Sequence, residues 1–243
     1  MAKSQQTLLR SKLALITGAS QGIGLAIAQV LVAEGCDLVI SGRNLSALNQ
    51  AAKRLAKRGV SVTPIVCDVR NGESVEALLA AVKGQSQRLD ILINNAGIAH
   101  SLLPVAKLPL EDWKEVIETN LTGMFLVTRA ALPLMKRGST IVNNLSISAK
   151  RVFPGFSAYD ASKHGALGFT NTLREEVRAK GIRVIALLPG ATDTPIWNTF
   201  WPRAPRKKMM SPGTVARAVV NALTLPQEAT VEELTILPSA GTL

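Results

Sequence analysis

Residues 12–24 read Lys12-Leu13-Ala14-Leu15-Ile16-Thr17-Gly18-Ala19-Ser20-Gln21-Gly22-Ile23-Gly24, and their reading decides the fold. Leu13 to Ile16 has the length and branching of a buried parallel strand, and at Gly18 the apolar run gives way to a glycine-rich turn. From Ile23 to Val32 the apolar residues recur at spacings of three and four, which predicts a helix with Gly22 and Gly24 at its N-terminus. Free backbone N–H groups and the helix dipole favour an anion there, and a pyrophosphate is the natural occupant. The spacing of the glycines is Gly-x-x-x-Gly-x-Gly, unlike the Gly-x-Gly-x-x-Gly of other dinucleotide-binding folds. The expected purpose is the same, a tight turn with no Cβ between backbone and phosphate. Taken alone, such a cluster could also be only a turn.

A chain of 243 residues, 47% of them apolar and only 4% aromatic, can build a sizeable core from Ala, Val, Leu and Ile. The first ten residues are polar and no long apolar segment follows them, which predicts a flexible stretch over 1–10, no signal peptide, no membrane span and a cytoplasmic protein. Cys36 and Cys67 each adjoin a predicted strand and read as reduced, buried thiols. His100 and His164 are the only histidines, and neither has neighbours at ligand spacing, so no metal is expected. The formal charge of +11 allows nucleic acid, an acidic membrane surface or anionic small molecules as partners. Apart from a run at Arg203, Arg206, Lys207 and Lys208, the basic residues are spread along helices, and no nucleic-acid motif accompanies them. They read as a solvated surface or as a means of steering anions.

Strands alternate with helices along the rest of the chain. The second strand, Asp37 to Ser41, ends at Gly42-Arg43-Asn44 with no acidic residue to accept from the ribose hydroxyls of NAD. Arg43 instead offers a planar fork for a 2′-phosphate, which favours NADP over NAD, although Gln21 leaves the glycine loop without a second basic residue. A helix over Leu45 to Arg58 stops at Gly59, and a third strand over Val60 to Val66 leads to Cys67-Asp68-Val69. Asp68 could cap the helix that begins at Asn71. Leu89 to Ile93 runs into Asn94-Asn95-Ala96-Gly97, in which Asn side chains can satisfy backbone groups at a strand end while Ala96 and Gly97 admit a close neighbour.

Leu110 to Lys136 reads as one long helix bent near Pro133, with Asn120 inside it, a residue whose amide competes with the backbone and so marks a local break. Ser139 to Ser146 is a fifth strand, and extended geometry would aim the Ser146 and Ser148 hydroxyls to one side without choosing between them. Tyr159, the only tyrosine, lies four residues before Lys163 in a helix from Ser157, so the ammonium can lie beside the phenol and lower its pKa toward the working pH. Arg183 to Leu188 is a sixth strand, broken at Pro189-Gly190, where open N–H groups ahead of Thr192 and Thr194 suit a carboxamide. Residues 191–211 carry Trp197, Phe200, Trp201 and Met209 between prolines, as a mobile lid over a substrate would. Pro212 opens a helix to Leu225, and Leu234 to Leu237 is the last strand.

The loop Thr17 to Gly24, the Asn94-Asn95-Ala96-Gly97 run, Asn120, Ser146 and the Tyr159-x-x-x-Lys163 pair, in that order, resemble the short-chain dehydrogenase/reductase family over nearly the whole chain. The resemblance selects Ser146, thirteen residues before Tyr159, over Ser148. It implies a catalytic set of Asn120, Ser146, Tyr159 and Lys163, with Asn120 kinking its helix and holding a water that links Lys163 to solvent. The cofactor contacts it implies are Gly18, Ser20, Gln21 and Ile23 in the loop, Asp68 and Val69 at the adenine, Asn95, Ala96 and Gly97 in the cleft, and Thr192 and Thr194 at the nicotinamide.

With the right-handed crossover rule, the prediction is one doubly wound α/β domain with a seven-stranded parallel sheet in the order 3-2-1-4-5-6-7. The expected activity is NADP-dependent interconversion of a carbonyl and a secondary alcohol. A cofactor-sensing regulatory protein on the same fold is the alternative. A homo-oligomer is expected, a dimer or tetramer, although the ending Leu-Pro-Ser-Ala-Gly-Thr-Leu departs from the Asp-Gly-Gly tail of many family tetramers. The aromatic lid suggests an apolar substrate, and the basic run suggests an acidic carrier protein or thioester.

Overall fold

A computed structural model describes residues 9–56 and 59–241. Seven parallel strands form one sheet: β1 (Leu13–Thr17), β2 (Asp37–Gly42), β3 (Val62–Val66), β4 (Ile91–Asn94), β5 (Thr140–Asn144), β6 (Arg183–Pro189) and β7 (Glu233–Ile236). Their order across the sheet is β3-β2-β1-β4-β5-β6-β7, as predicted. The order reverses between β1 and β4, which opens a crevice at the carboxyl ends of those two strands.

Alternation along the central strands supplies both faces of the core. Ala14, Ile16, Leu38, Ile40, Ile91 and Ile93 bury against α1 (Gly22–Ala33), α2 (Leu45–Ala56) and α8 (Pro212–Leu223). Leu15, Val39, Leu92, Ile141 and Val184 bury on the opposite face, under α3 (Gly72–Gln85), α5 (Gly123–Ala131) and α6 (Ser157–Arg178). The remaining helices, α4 (Leu110–Ile117) and the short α7 (Trp197–Phe200), stand at the carboxyl edge of the sheet. Each fully buried Leu or Ile in these layers contributes about 1.5–3 kcal/mol, which is why the sheet is a rigid platform for the loops at its edge.

Several expectations need correction. The flexible stretch assigned to 1–10 lies outside the described residues through residue 8, but Leu9 is buried in the core and its carbonyl accepts from Lys12 N at 3.2 Å. The helix over Leu45 to Arg58 is described to Ala56, and 57–58 lie outside the described residues. The predicted single helix from Leu110 to Lys136 is four pieces: α4, a π-turn over Glu118–Thr122, α5, and a 3-10 turn over Leu132–Leu134 that contains Pro133. The break falls on Asn120, as its poor helical propensity implied. Among the described residues no helix is long and apolar enough to cross a membrane.

Candidate active site

The glycine loop is built by close packing. Gly18 and Gly22 have φ of +64° and +59°, a backbone region open to glycine at no steric cost. A Cβ on Gly18 would stand 2.9 Å from Ala96 Cα, and one on Gly24 would overlap Asn95 Nδ2 and lie 2.7 Å from the Gly18 carbonyl oxygen. Gly18 and Gly24 are therefore glycines so that the loop can lie against the end of β4. This packing role adds to the tight turn expected from the sequence. Asn95 is the clamp: its Nδ2 donates to the Thr17 and Gly18 carbonyls at 2.9 and 3.0 Å, and its Oδ1 accepts from Asn144 Nδ2 at 2.8 Å. The Thr17 hydroxyl completes the joint by accepting from Asn95 N and Ala96 N, both at 3.0 Å.

Above this joint runs a cleft of about 420 Å3. At its nucleotide end lie Gly18, Ser20, Gln21 and Ile23, with Arg43, Asp68 and Val69 opposite, and farther along come Asn95, Ala96 and Gly97. The N-terminus of α1 has no side-chain cap and no acidic residue in its first turn, so its N–H groups are left for an anion. A dinucleotide fits these residues: an uncapped helix end for the pyrophosphate, an arginine past β2, and small residues along the floor.

The other end gathers the residues with proton chemistry. Ser146, Tyr159 and Lys163 line the cleft together, beside Thr192 and Thr194. Strand β5 ends at Asn144, so the alternation that left Ser146 and Ser148 equivalent stops before them. Ser146 stays extended, with its Oγ accepting from Ser148 N at 3.1 Å and its hydroxyl near the Tyr159 phenol, whereas Ser148 turns into a 3-10 segment and faces Asp160. Lys163 Nζ sits 5.4 Å from the centre of the Tyr159 ring and donates to the Asn144 carbonyl at 3.1 Å.

Burial pushes the Tyr159 phenol up to about 12, against the lowering effect of the Ser146 hydrogen bond, and pushes Lys163 down to about 8. The expected lowering of the phenol by the ammonium is therefore not what the chain alone provides. Desolvation outweighs a cation that is several ångströms from the ring and already hydrogen-bonded to a carbonyl.

Asn120 is fully buried, and both ends of its amide are occupied. Oδ1 accepts from Ile98 N at 2.8 Å, and Nδ2 donates to the Ile98 carbonyl and Ser162 Oγ, each at 3.0 Å. Asn120 thus ties the π-turn to the strand-end loop that carries Gly97 and to the helix that carries Tyr159.

Thr192 Oγ1 donates to the Gly190 carbonyl at 3.0 Å, and the side chain of Thr194 faces Gly22 across the cleft. The helix after Asp68 is capped by Asn71, whose Oδ1 accepts from Ser74 N at 2.9 Å, so capping is not the work of Asp68. Asp68 is instead gripped by Arg70, which holds its carboxyl below the usual range. Both cysteines are buried and free, and among the described residues no group of His, Cys, Asp or Glu is placed to hold a metal.

Four contributions escaped the sequence reading. Asn144 receives Lys163 and braces Asn95. Arg70 and Glu115 meet at the nucleotide end. Phe153 and Phe156 join Trp197 and Phe200 in an aromatic wall beside Tyr159. The fourth concerns Arg206, read only as part of a basic run: its guanidinium donates to Asp193 Oδ1, the Thr194 carbonyl and Asn198 Oδ1, each at 2.8 Å, and so fastens the segment before α7. The aromatic residues within the predicted lid were the one available signal for the wall. Nothing marked Asn144, Arg70 or Glu115.

Residues 12–204 match the short chain dehydrogenase family. An uncharacterised oxidoreductase of Staphylococcus aureus (strain MRSA252) is 36% identical over 96% of this chain and 99% of its own length. An alcohol dehydrogenase from the archaeon Thermococcus sibiricus, complexed with 5-hydroxy-NADP, is 32% identical with a TM-score of 0.88, over 94% of this chain and 97% of that one. A 3-ketoacyl-(acyl-carrier-protein) reductase from Brucella melitensis, complexed with NADH, is 27% identical with a TM-score of 0.86, over 95% and 98%. The chain belongs to the short-chain dehydrogenase/reductase family. It is an NAD(P)-dependent oxidoreductase of that family.

Proposed function

We propose that the protein interconverts a neutral, apolar carbonyl compound and the corresponding secondary alcohol with NADP(H), using Tyr159 as the acid or base. The observation that carries this reading is the meeting of Ser146, Tyr159 and Lys163 in the cleft that also holds the open end of α1 and Arg43. When bound, the nicotinamide supplies or accepts the hydride. The chain's own residues would handle the proton: the Ser146 hydroxyl positions the carbonyl oxygen and Tyr159 gives it a proton from its phenol. Lys163 is placed to hold the nicotinamide ribose and to supply positive charge as the phenolate forms. With the Asn120 amide occupied, a relay water would rest on the main chain of the π-turn.

Arg43 supports NADP over NAD, because it offers a guanidinium where the NAD ribose would need an acid. The aromatic wall supports an apolar substrate over an acidic one. Arg206 already has three acceptors, which weakens the case for the basic run as a carrier-protein site. The test is to follow NADPH and NADH oxidation with aryl ketones, aliphatic ketones and 3-oxoacyl thioesters. Preference for NADPH and for neutral ketones is expected, and turnover confined to thioesters would refute the substrate reading.

A further inference from the structure

The nucleotide end of the cleft holds a chain of ion pairs for which proton transfer at Tyr159 has no use. Arg43, just past β2, has Nη1 3.6 Å from Glu115 Oε1. The same oxygen accepts from Arg70 Nη1 at 3.1 Å. Arg70 in turn sets Nε on Asp68 Oδ1 at 3.0 Å and Nη2 on Asp68 Oδ2 at 2.6 Å. One carboxylate oxygen on α4 thus faces two guanidinium groups, each following a different strand.

We propose that Glu115 is the chain's own stand-in for the 2′-phosphate of NADP(H), occupying Arg43 and Arg70 while the site is free and yielding both to the phosphate. This inference rests on the NADP reading and extends it to residues outside the cleft wall. The hold on Arg43 is loose, because 3.6 Å is beyond a hydrogen bond and both side chains are about half exposed, at 53% and 45%. Such pairs contribute little and exchange readily. A phosphate brings nearly twice the charge and three acceptor oxygens, so it outcompetes one shared carboxylate oxygen.

The grip of Asp68 explains why Arg70 is ready for this. With Nε and Nη2 fixed, Nη1 is aimed at the place Glu115 occupies, and it is the second cation that Gln21 does not supply in the glycine loop. NAD, which lacks the phosphate, has nothing with which to displace Glu115. The carboxylate then stays between the arginines and the ribose end stays neutralised. Glu115 is in this account a specificity-determining residue: it lowers the affinity for the phosphorylated cofactor without touching the rest of it.

The full-length chain can be titrated calorimetrically with 2′,5′-ADP and with 5′-AMP, neither of which reacts. The wild type should favour 2′,5′-ADP. Glu115→Gln should tighten 2′,5′-ADP about fivefold, the size of an exposed charge contact, and move 5′-AMP less than about twofold. Arg70→Gln should weaken 2′,5′-ADP by about the same factor. Unchanged 2′,5′-ADP binding in Glu115→Gln, or equal tightening of both nucleotides, would overturn the role of Glu115 and leave the NADP reading standing. A wild type that binds the two nucleotides equally would instead remove the NADP reading, and this inference with it.

Discussion

Phe200 stands edge-on to Tyr159, the ring centroids 4.7 Å apart and the planes at 74°, while its face stacks on Phe156 at 4.2 Å. Only 5% of Phe200 is exposed, so the short helix α7 closes over the one phenol in the chain. A substrate carbonyl that reaches Tyr159 must share or take the place of that ring. Arg206 holds the segment leading into α7, and loosening it should weaken closure. Arg206→Ala is expected to raise KM for a ketone severalfold. Its Tm should stay within roughly 3 °C of wild type, because the Arg206 bonds to Asp193 and Asn198 lie at the surface and only the one to the Thr194 carbonyl is partly buried. Steady-state kinetics beside a thermal melt will separate the two effects, and an unchanged KM would show that the fastening has no part in closure.

Replacing Tyr159 with Phe removes the proton donor and keeps the packing against Phe200 and Phe156. Turnover should fall by about 10²–10⁴, the usual worth of a positioned acid, with cofactor affinity nearly unchanged. Nucleotide titration alongside single-turnover assays measures both, and near-normal turnover would exclude Tyr159 as the acid.

Lys163 is destabilising as a buried cation, and the direction of its shift fixes the pH dependence. Its folded value of about 8 lies below the ordinary 10.5, so the unfolded chain binds more protons between these values and stability rises with pH across that window. Below pH 8 the penalty is fully present, on the order of 3 kcal/mol. Lys163→Met should remove it, less about 1 kcal/mol for leaving the Asn144 carbonyl unpaired. The expected result without cofactor is a Tm at pH 7 roughly 3–6 °C above wild type, a gain that shrinks as pH approaches 10.5, together with loss of activity. A variant equally stable at both pH values, relative to wild type, would contradict this account of the buried ammonium.

Gly24→Ala places a methyl group against Asn95 Nδ2 and the Gly18 carbonyl. Overpacking of this kind costs about 1–3 kcal/mol, and here it also pushes the glycine loop off β4. Reduced stability in urea together with weaker nucleotide binding is expected. Gly72→Ala, at a helical glycine with nothing within 4 Å of the added Cβ, serves as the control: it should leave nucleotide binding unchanged and raise stability by about 0.4–1 kcal/mol, never lower it.

The parts of the site that could be read in advance were those whose chemistry is local. Tyr159 and Lys163 are one helical turn apart, so the period of the helix alone brings them to one face. Asn120 advertised a break because its propensity opposes the helix around it, and the structure puts a π-turn there. Asn144, by contrast, meets Asn95 only because β5 pairs with β4 in the register Asn94↔Asn143, which carries its side chain across to Asn95. No pattern within either strand states that register. Glu115 and Arg70 are forty-five residues apart, and on a chain this basic a single acid on a helix surface looks like any other solvated charge.

The sequence by itself determined the alternation of strands and helices, their order in the sheet and the residue types at the cleft, because periodicity, glycine conformation and the handedness of crossovers act over short stretches of chain. The tertiary structure alone decided that burial raises the phenol instead of the ammonium lowering it, and that Arg43 is not alone at the nucleotide end. Those outcomes depend on desolvation and on distances between side chains brought together by strand pairing, and both exist only once the sheet has closed its core.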